Sequence, residues 1–371
     1  MSDAHIIAAR RSAVMPHDGA FATLDIHDLA APVISALLED AGLAPDEVGE
    51  LILSNALGAG GNPARIASLA AGLPMRVAGL SIDRQCCGGL DALMLARAMV
   101  SSGLHDVVVA GGAESYSRRP VRAHRRAGDT PPQPYEQARF TPWPDRDPDM
   151  AEAADQLARA LGYSRQMQDD WAVESHAKAR AAQRLDLGKE IVTIAGHSRD
   201  GFTRRLTPAL CARAPSVTGD ITAANMAVAA DGAAFCLVVS DKVAQRHARS
   251  VVRILSGATL GGDPCLPGLA PVAAIDAALA KAGQSPSTLS TAEIMEAFAV
   301  QAVACQQGAG IARGIVNPAG GALARGHPIG ASGAVLAVRL FHELRDKGGT
   351  GVAAIAAAGG LGTALVMRAD D

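Results

Sequence analysis

Ala41-Gly42-Leu43-Ala44-Pro45, with Val48 three residues on, returns far along the chain as Ala282-Gly283-Gln284-Ser285-Pro286, with Leu289 in the matching place. The offset is 282 − 41 = 241 residues. It also carries Gly79 to Gly320, Arg84 to Arg325 and Cys86 to His327. Asp28–Gly42 reads as an amphipathic helix stopped by glycine, and Val48–Ser54 as a buried strand. Further helices are expected over Gly89–Val100 and Ser332–Leu344. Each is followed by a strand-like run ending in a glycine pair, Gly111-Gly112 and Gly359-Gly360. Short β-rich runs alternating with helices indicate an α/β fold. The repeat makes it a duplicated one, in which a pseudo-twofold axis would present Cys86 and His327 to one shared pocket.

Between the copies the pattern breaks. Arg118, Arg119, Arg122, Arg125 and Arg126 open a stretch that runs through a proline-rich segment, Pro131–Pro148, and a helical segment, Met150–Gln183. It reads as an insertion or cap on the first half, a loop domain at about 118–220, rather than an independent domain. The halves are then 1–245 and 246–371. The arginines are either a solvated loop or a contact for the phosphates of a nucleotide-bearing substrate.

Composition narrows the function classes. The net charge of −3 provides no basic footprint for nucleic acid. No segment has the length of a membrane span, and Met1–Arg10 lacks the apolar core of a signal peptide. The six cysteines show no CxxC spacing, so neither a disulfide framework nor a metal site is expected, and a reducing cytoplasm fits.

Cys86 lies between a β-like segment and a helix opened by Gly88 and Gly89. Unpaired N–H groups at a helix start favour thiolate, and glycines let a substrate approach the backbone. Alternatively it is a small buried hydrophobe, as most cysteines are. Cys87 reads as packing. His327 sits in Gly326-His327-Pro328-Ile329-Gly330-Ala331-Ser332-Gly333, at the tip of a loop opening a helix. There it could deprotonate a thiol and return the proton to a leaving group. Its repeat relation to Cys86 favours that over a structural loop histidine.

Several segments resemble those of thiolases. They are Asp83-Arg84-Gln85-Cys86-Cys87-Gly88-Gly89-Leu90, Ala110-Gly111-Gly112-Ala113-Glu114-Ser115, Asp231-Gly232-Ala233-Ala234, and Val316–Ala334 with its Gly-His-Pro-Ile-Gly-Ala-Ser-Gly core. Ser164-Arg165, Gln168-Asp169 and Ser175-His176 resemble the helix after the family's loop insertion. The resemblance spans nearly the whole chain. It implies layered αβαβα halves with a loop domain inserted in the first, CoA thioester substrates, no tightly bound cofactor, and homodimers or homotetramers. It makes Cys86 the acyl-accepting nucleophile and His327 its base. Backbone at Ala358 and Gly360 would line the oxyanion site, and Met150, Ala227 and Phe298 the CoA arm.

Three positions depart from the family pattern. Ala356 stands where a second reactive cysteine would remove a proton from the α-carbon of the second acyl-CoA. Met295 replaces the asparagine of an Asn-Glu-Ala-Phe motif that holds an oxyanion water. Ala227 ends an Asn225-Met226-Ala227 segment where serine is usual. The expectation is an acyltransferase that loads Cys86 from acyl-CoA but condenses two acetyl-CoA weakly. The alternative is an auxiliary or non-catalytic thiolase-fold subunit working with a protein partner.

Overall fold

The computed structural model describes residues 3–58, 60–125, 128, 131–184, 189–247 and 251–369. In the first half the chain forms β1 (Ala4–Ser12), α1 (Ile26–Ala41), β2 (Glu50–Ser54), β3 (Leu80–Ile82), α2 (Gly88–Ser101) and β4 (Val107–Glu114). The inserted segment carries α3 (Met150–Leu161) and α4 (Arg165–Ala182), and β5 (Ala230–Ser240) closes the half. The second half forms β6 (Val252–Gly261), α5 (Ala270–Ala282), β7 (Thr291–Ile294), α6 (Ala299–Gly308), α7 (Ile329–Lys347), β8 (Gly349–Ala357) and β9 (Leu361–Ala369).

The 241-residue echo is a structural repeat. Strands follow one another across the main sheet as β7-β8-β9-β6-β1-β5-β4-β2-β3. That order reads alike outward from the β6–β1 seam: β6 answers β1, β9 answers β5, β8 answers β4 and β7 answers β2. The seam is a short antiparallel contact, His5 opposite Arg253 and Ile6 opposite Val252. Gly42 and Gly283 end α1 and α5 at φ 62° and 64°, a left-handed turn that suits glycine. α1 covers β1, β5 and β4 on one outer face, and α5 covers β6, β9 and β8 on the other. Between them α2 and α7 cross, touching strands of both halves. The layers therefore run helix, sheet, helix pair, sheet, helix. α7 is buried nearly all round, from Gly330 through His342, which identifies it as a core helix rather than a surface one. The inner core joins Leu90, Leu93 and Ala96 of α2 to Leu336, Leu340 and Phe341 of α7.

Three expectations change. β4 does not end at Gly111-Gly112 but runs through the pair to Glu114. A side chain at Gly112 would strike the Gly330 carbonyl at the start of α7, 2.2 Å away, so glycine serves close approach there. Gly359-Gly360, by contrast, lies in the turn between β8 and β9, so the two pairs are not equivalent. The helical segment after the proline-rich stretch is two helices, broken at Gly162 (φ 68°) and restarted by Ser164, whose side chain caps the Met167 N–H. Finally, the insertion packs mainly over the second half. Ala154, Leu157 and Ala158 of α3 meet Val300 and Ala304 of α6, and Trp171 and Ala172 of α4 join the core under α5. Insertion in sequence does not dictate which half supplies the apolar partner. Arg126 lies outside the described residues.

Candidate active site

Two loops that the repeat makes equivalent meet at the end of the α2–α7 crossing. Cys86 precedes α2 and His327 precedes α7. Each follows a residue in the left-handed region, Gln85 at φ 50° and Gly326 at φ 109°. The Gln85 N–H is held by Asp83 Oδ1 at 2.8 Å, which helps offset that backbone strain. On the other side the His327 N–H donates to the Val228 carbonyl at 2.8 Å, tying the loop to the segment leading into β5. The result is Cys86 Sγ 3.1 Å from His327 Nε2.

The histidine tautomer follows from its other nitrogen. Nδ1 lies 2.6 Å from Ser332 Oγ, and the Ser332 hydroxyl donates its proton to the Pro328 carbonyl at 3.0 Å. With that proton committed, Ser332 Oγ accepts from Nδ1–H. Nε2 therefore faces the thiol with a free lone pair, as a general base requires. Burial pushes the His327 pKa down to about 4, so the ring is neutral at pH 7. Burial likewise pushes the Cys86 thiol well above its ordinary 9.0, reinforced by Cys87. This corrects the expected thiolate: desolvation outweighs the helix start, and the resting pair is thiol and neutral imidazole.

That state predicts a pH profile. Below a raised pKa the thiolate fraction grows tenfold per pH unit. Alkylation of Cys86 by iodoacetamide should therefore rise with unit slope from about pH 6 to about pH 9. A plateau near neutrality, read by peptide mass spectrometry, would mean a preformed thiolate–imidazolium pair.

Both side chains are half-buried and open into a cavity of about 370 Å³. Met150, Ala227, Phe298, Ala356 and Ala358 line it. Met295 and Gly360 do not. Met295 is 1% exposed and belongs to the inner core. At Gly360 an added Cβ would lie 2.7 Å from the Gly262 carbonyl, so this glycine serves a backbone crossing behind the turn. The wall holding Phe298 is fastened to the segment just before β5 by Ala227 N–H to the Ala297 carbonyl at 2.9 Å and Ala299 N–H to the Asn225 carbonyl at 2.8 Å. Beneath it, Glu296 accepts from Trp171 Nε1, Ser175 Oγ, Asn317 Nδ2 and the Leu323 N–H.

Sequence reasoning assigned no role to Glu114 or Ser332, although both lie in motifs it singled out. Glu114, buried at the end of β4, accepts from Asn55 Nδ2 (2.7 Å), the Ala56 and Leu57 N–H groups, and the Gly330 N–H at 2.9 Å. Burial raises its carboxyl to about 7 against these hydrogen bonds. It pins the start of α7, and with it the His327 loop, to the first half. A polar residue ending a buried strand was the available signal.

A family model described as "Thiolase, N-terminal domain" matches residues 4–242, and one described as "Thiolase, C-terminal domain" matches 248–369. The chain is 39% identical over 376 residues to YhfS of Bacillus subtilis (strain 168), covering 99% of each. It is 36% identical over 406 residues to an acetyl-CoA acetyltransferase of Cupriavidus necator, covering 99% of this chain and 100% of the relative. Among solved structures, the crystal structure of the Bacillus anthracis acetyl-CoA acetyltransferase superposes with a TM-score of 0.93 at 32% identity, over 100% of this chain and 99% of that one.

Proposed function

The chain belongs to the thiolase family, and on that footing we propose that it is an acyltransferase working on CoA thioesters through Cys86 and His327. The observation that carries this reading is the 3.1 Å contact between Cys86 Sγ and His327 Nε2 on the cavity wall. His327 Nε2 takes the thiol proton as Sγ attacks the thioester carbonyl. The tetrahedral oxyanion is held by backbone N–H groups at Cys86 and Ala358. CoA then leaves as its sulfur takes the proton back from His327, and the acyl group remains on Cys86 as a thioester. Met150, Ala227 and Phe298 flank the pantetheine arm. Gly360 supports the turn from behind rather than touching the oxyanion. The test is acetyl-CoA with the purified protein: one CoA released per active site, and an acetyl mark on the Cys86 peptide. A panel of acyl-CoA esters giving no adduct would defeat the reading.

The second half-reaction needs an acceptor. Ala356 has no proton to move, and Met295, turned into the core, offers the cavity no polar atom. Condensation of two acetyl-CoA is therefore expected to be weak. Ala356→Cys is expected to raise it by up to the roughly 10²–10⁴-fold that a general base contributes. The readout is acetoacetyl-CoA formed per unit time. No gain in a variant whose Cys86 still acylates would show that Ala356 is not the limiting position. A catalytically silent subunit is the competing reading, and the intact Cys86–His327–Ser332 relay disfavours it. We assign the halves to 1–245 and 246–371, and expect a homodimer or homotetramer in the cytoplasm. Among the described residues no helix is long and apolar enough to cross a membrane.

A further inference from the structure

We propose that the cavity is built for an acyl group that itself carries a carboxylate, with Arg122 as the group that binds it and Arg119 beside it. This deepens the acyltransferase reading and rests on it for the thioester end of the ligand. Arg122 opens a short strand, Arg122–His124, that pairs with Gln133–Tyr135. Its half-buried guanidinium donates from Nη2 to the Ala56 carbonyl at 3.0 Å, which fixes it against the loop that follows β2. Among the described residues no carboxylate lies within ion-pair distance of it. Arg119 is more exposed. Its guanidinium sits 4.2 Å over the Tyr116 ring and donates from Nη1 to the Tyr116 carbonyl at 3.0 Å. The carboxylate near it, Glu136 at 3.8 Å, is 94% exposed and so largely screened by water.

Both arginines line the Cys86 cavity, and both line a second cavity of about 380 Å³. Leu57, Arg119, Arg122 and Glu136 are common to the two linings, so the cations stand where one cavity passes into the other. The rest of the first cavity is mainly apolar, with Met150 and Leu157 of α3 and Phe298 before α6. A partly desolvated guanidinium without a counter-ion is unfavourable until an anion reaches it. Its planar fork matches a carboxylate with two parallel hydrogen bonds. The ligand class is therefore the mono-thioester of a dicarboxylic acid. The apolar wall takes the pantetheine, and the free carboxylate meets Arg122. A phosphate of CoA would offer the same anionic chemistry, and the experiment separates the two.

The experiment uses the full chain carrying Cys86→Ala, which binds thioesters without turning them over. Succinyl-CoA is expected to bind more tightly than butyryl-CoA. Adding Arg122→Met should lower the succinyl-to-butyryl affinity ratio by about 10- to 100-fold, the loss expected when one partner of a partly buried charge pair is truncated. Arg122→Lys keeps the charge and should retain part of the preference. The N-acetylcysteamine thioesters of the same two acids carry no phosphate and should show the same ratio and the same loss. Equal binding of succinyl- and butyryl-CoA to the parent protein would overturn the proposal. So would an Arg122→Met variant that loses affinity equally for both CoA esters and for neither cysteamine ester, which would assign the guanidinium to a CoA phosphate. Failure of the acyltransferase reading shows separately, as a wild-type protein that forms no Cys86 adduct while the binding preference stands.

Discussion

Replacing Cys86 with alanine is expected to lower CoA release from acetyl-CoA by at least about four orders of magnitude, because the nucleophile has no substitute. The neighbouring thiol cannot serve. Cys87 is fully buried, its Sγ points to the Ile355 carbonyl at 3.6 Å, and burial holds its pKa up at about 12. Cys265, also half-buried, does not line the cavity. His327→Gln should cost about 10²–10⁴, the usual share of a general base. The double variant should be no slower than Cys86→Ala alone, since sulfur and imidazole act as one unit. Single-turnover CoA release with mass spectrometry of the Cys86 peptide decides the matter. An acyl mark that persists elsewhere in the Cys86→Ala protein, at an unchanged rate, would place the chemistry on another residue.

The largest effect on stability is expected where α2 and α7 cross. A Cβ at Gly89 would lie 2.3 Å from the Ala334 backbone nitrogen and 3.0 Å from the Gly333 carbonyl carbon. A Cβ at Gly333 would lie 2.6 Å from the Leu90 nitrogen. The helices touch through backbone, which cannot swing aside as a side chain can. Gly89→Leu should therefore destabilise the protein by about 3 kcal/mol, the upper end of ordinary overpacking. It should also slow acylation, because the two helices carry the two reacting loops. Gly314→Ala is the control: nothing lies within 4 Å of its added Cβ, so a change within about 0.5 kcal/mol is expected. Urea denaturation of both variants measures the difference. Equal stabilities would mean that the crossing yields more readily than close-packed backbone allows.

Much of this arrangement was legible in the chain because a repeat turns a long-range relation into a subtraction. The 241-residue offset pairs Cys86 with His327 before any contact is known, and coordinates place them in contact. Features without such a relation were misread for identifiable reasons. Gly111-Gly112 looks like a strand end because glycine weakens strands; its use, room for the Gly330 carbonyl, depends on a residue more than two hundred positions away. The insertion was assigned to the half it interrupts, whereas Leu157 and Trp171 pack where α6 and the core under α5 offer apolar surface. The motif resemblance puts Met295 at the site because a motif carries no information about which way a side chain turns. Ser332 and Glu114 act through hydrogen bonds to His327 and Gly330, so their roles become readable only once those partners are positioned.

The near-symmetry across the β6–β1 seam also sets how the site responds to motion. If the halves part along a line perpendicular to the axis, sulfur and nitrogen retreat in opposite directions, and their separation grows at twice the displacement of either half. A shift of a few tenths of an ångström in each body is then enough to take a 3.1 Å contact out of proton-transfer range. Among the described residues two pairs bridge the seam, so that breathing mode is opposed by the glycine-to-backbone clasp of the central helices together with side chains that cross between the halves, Glu114 accepting from the Gly330 N–H and Asp91 from the Thr259 and Thr363 hydroxyls. Proton transfer in this molecule is thereby geared to the rigidity of the junction between the halves.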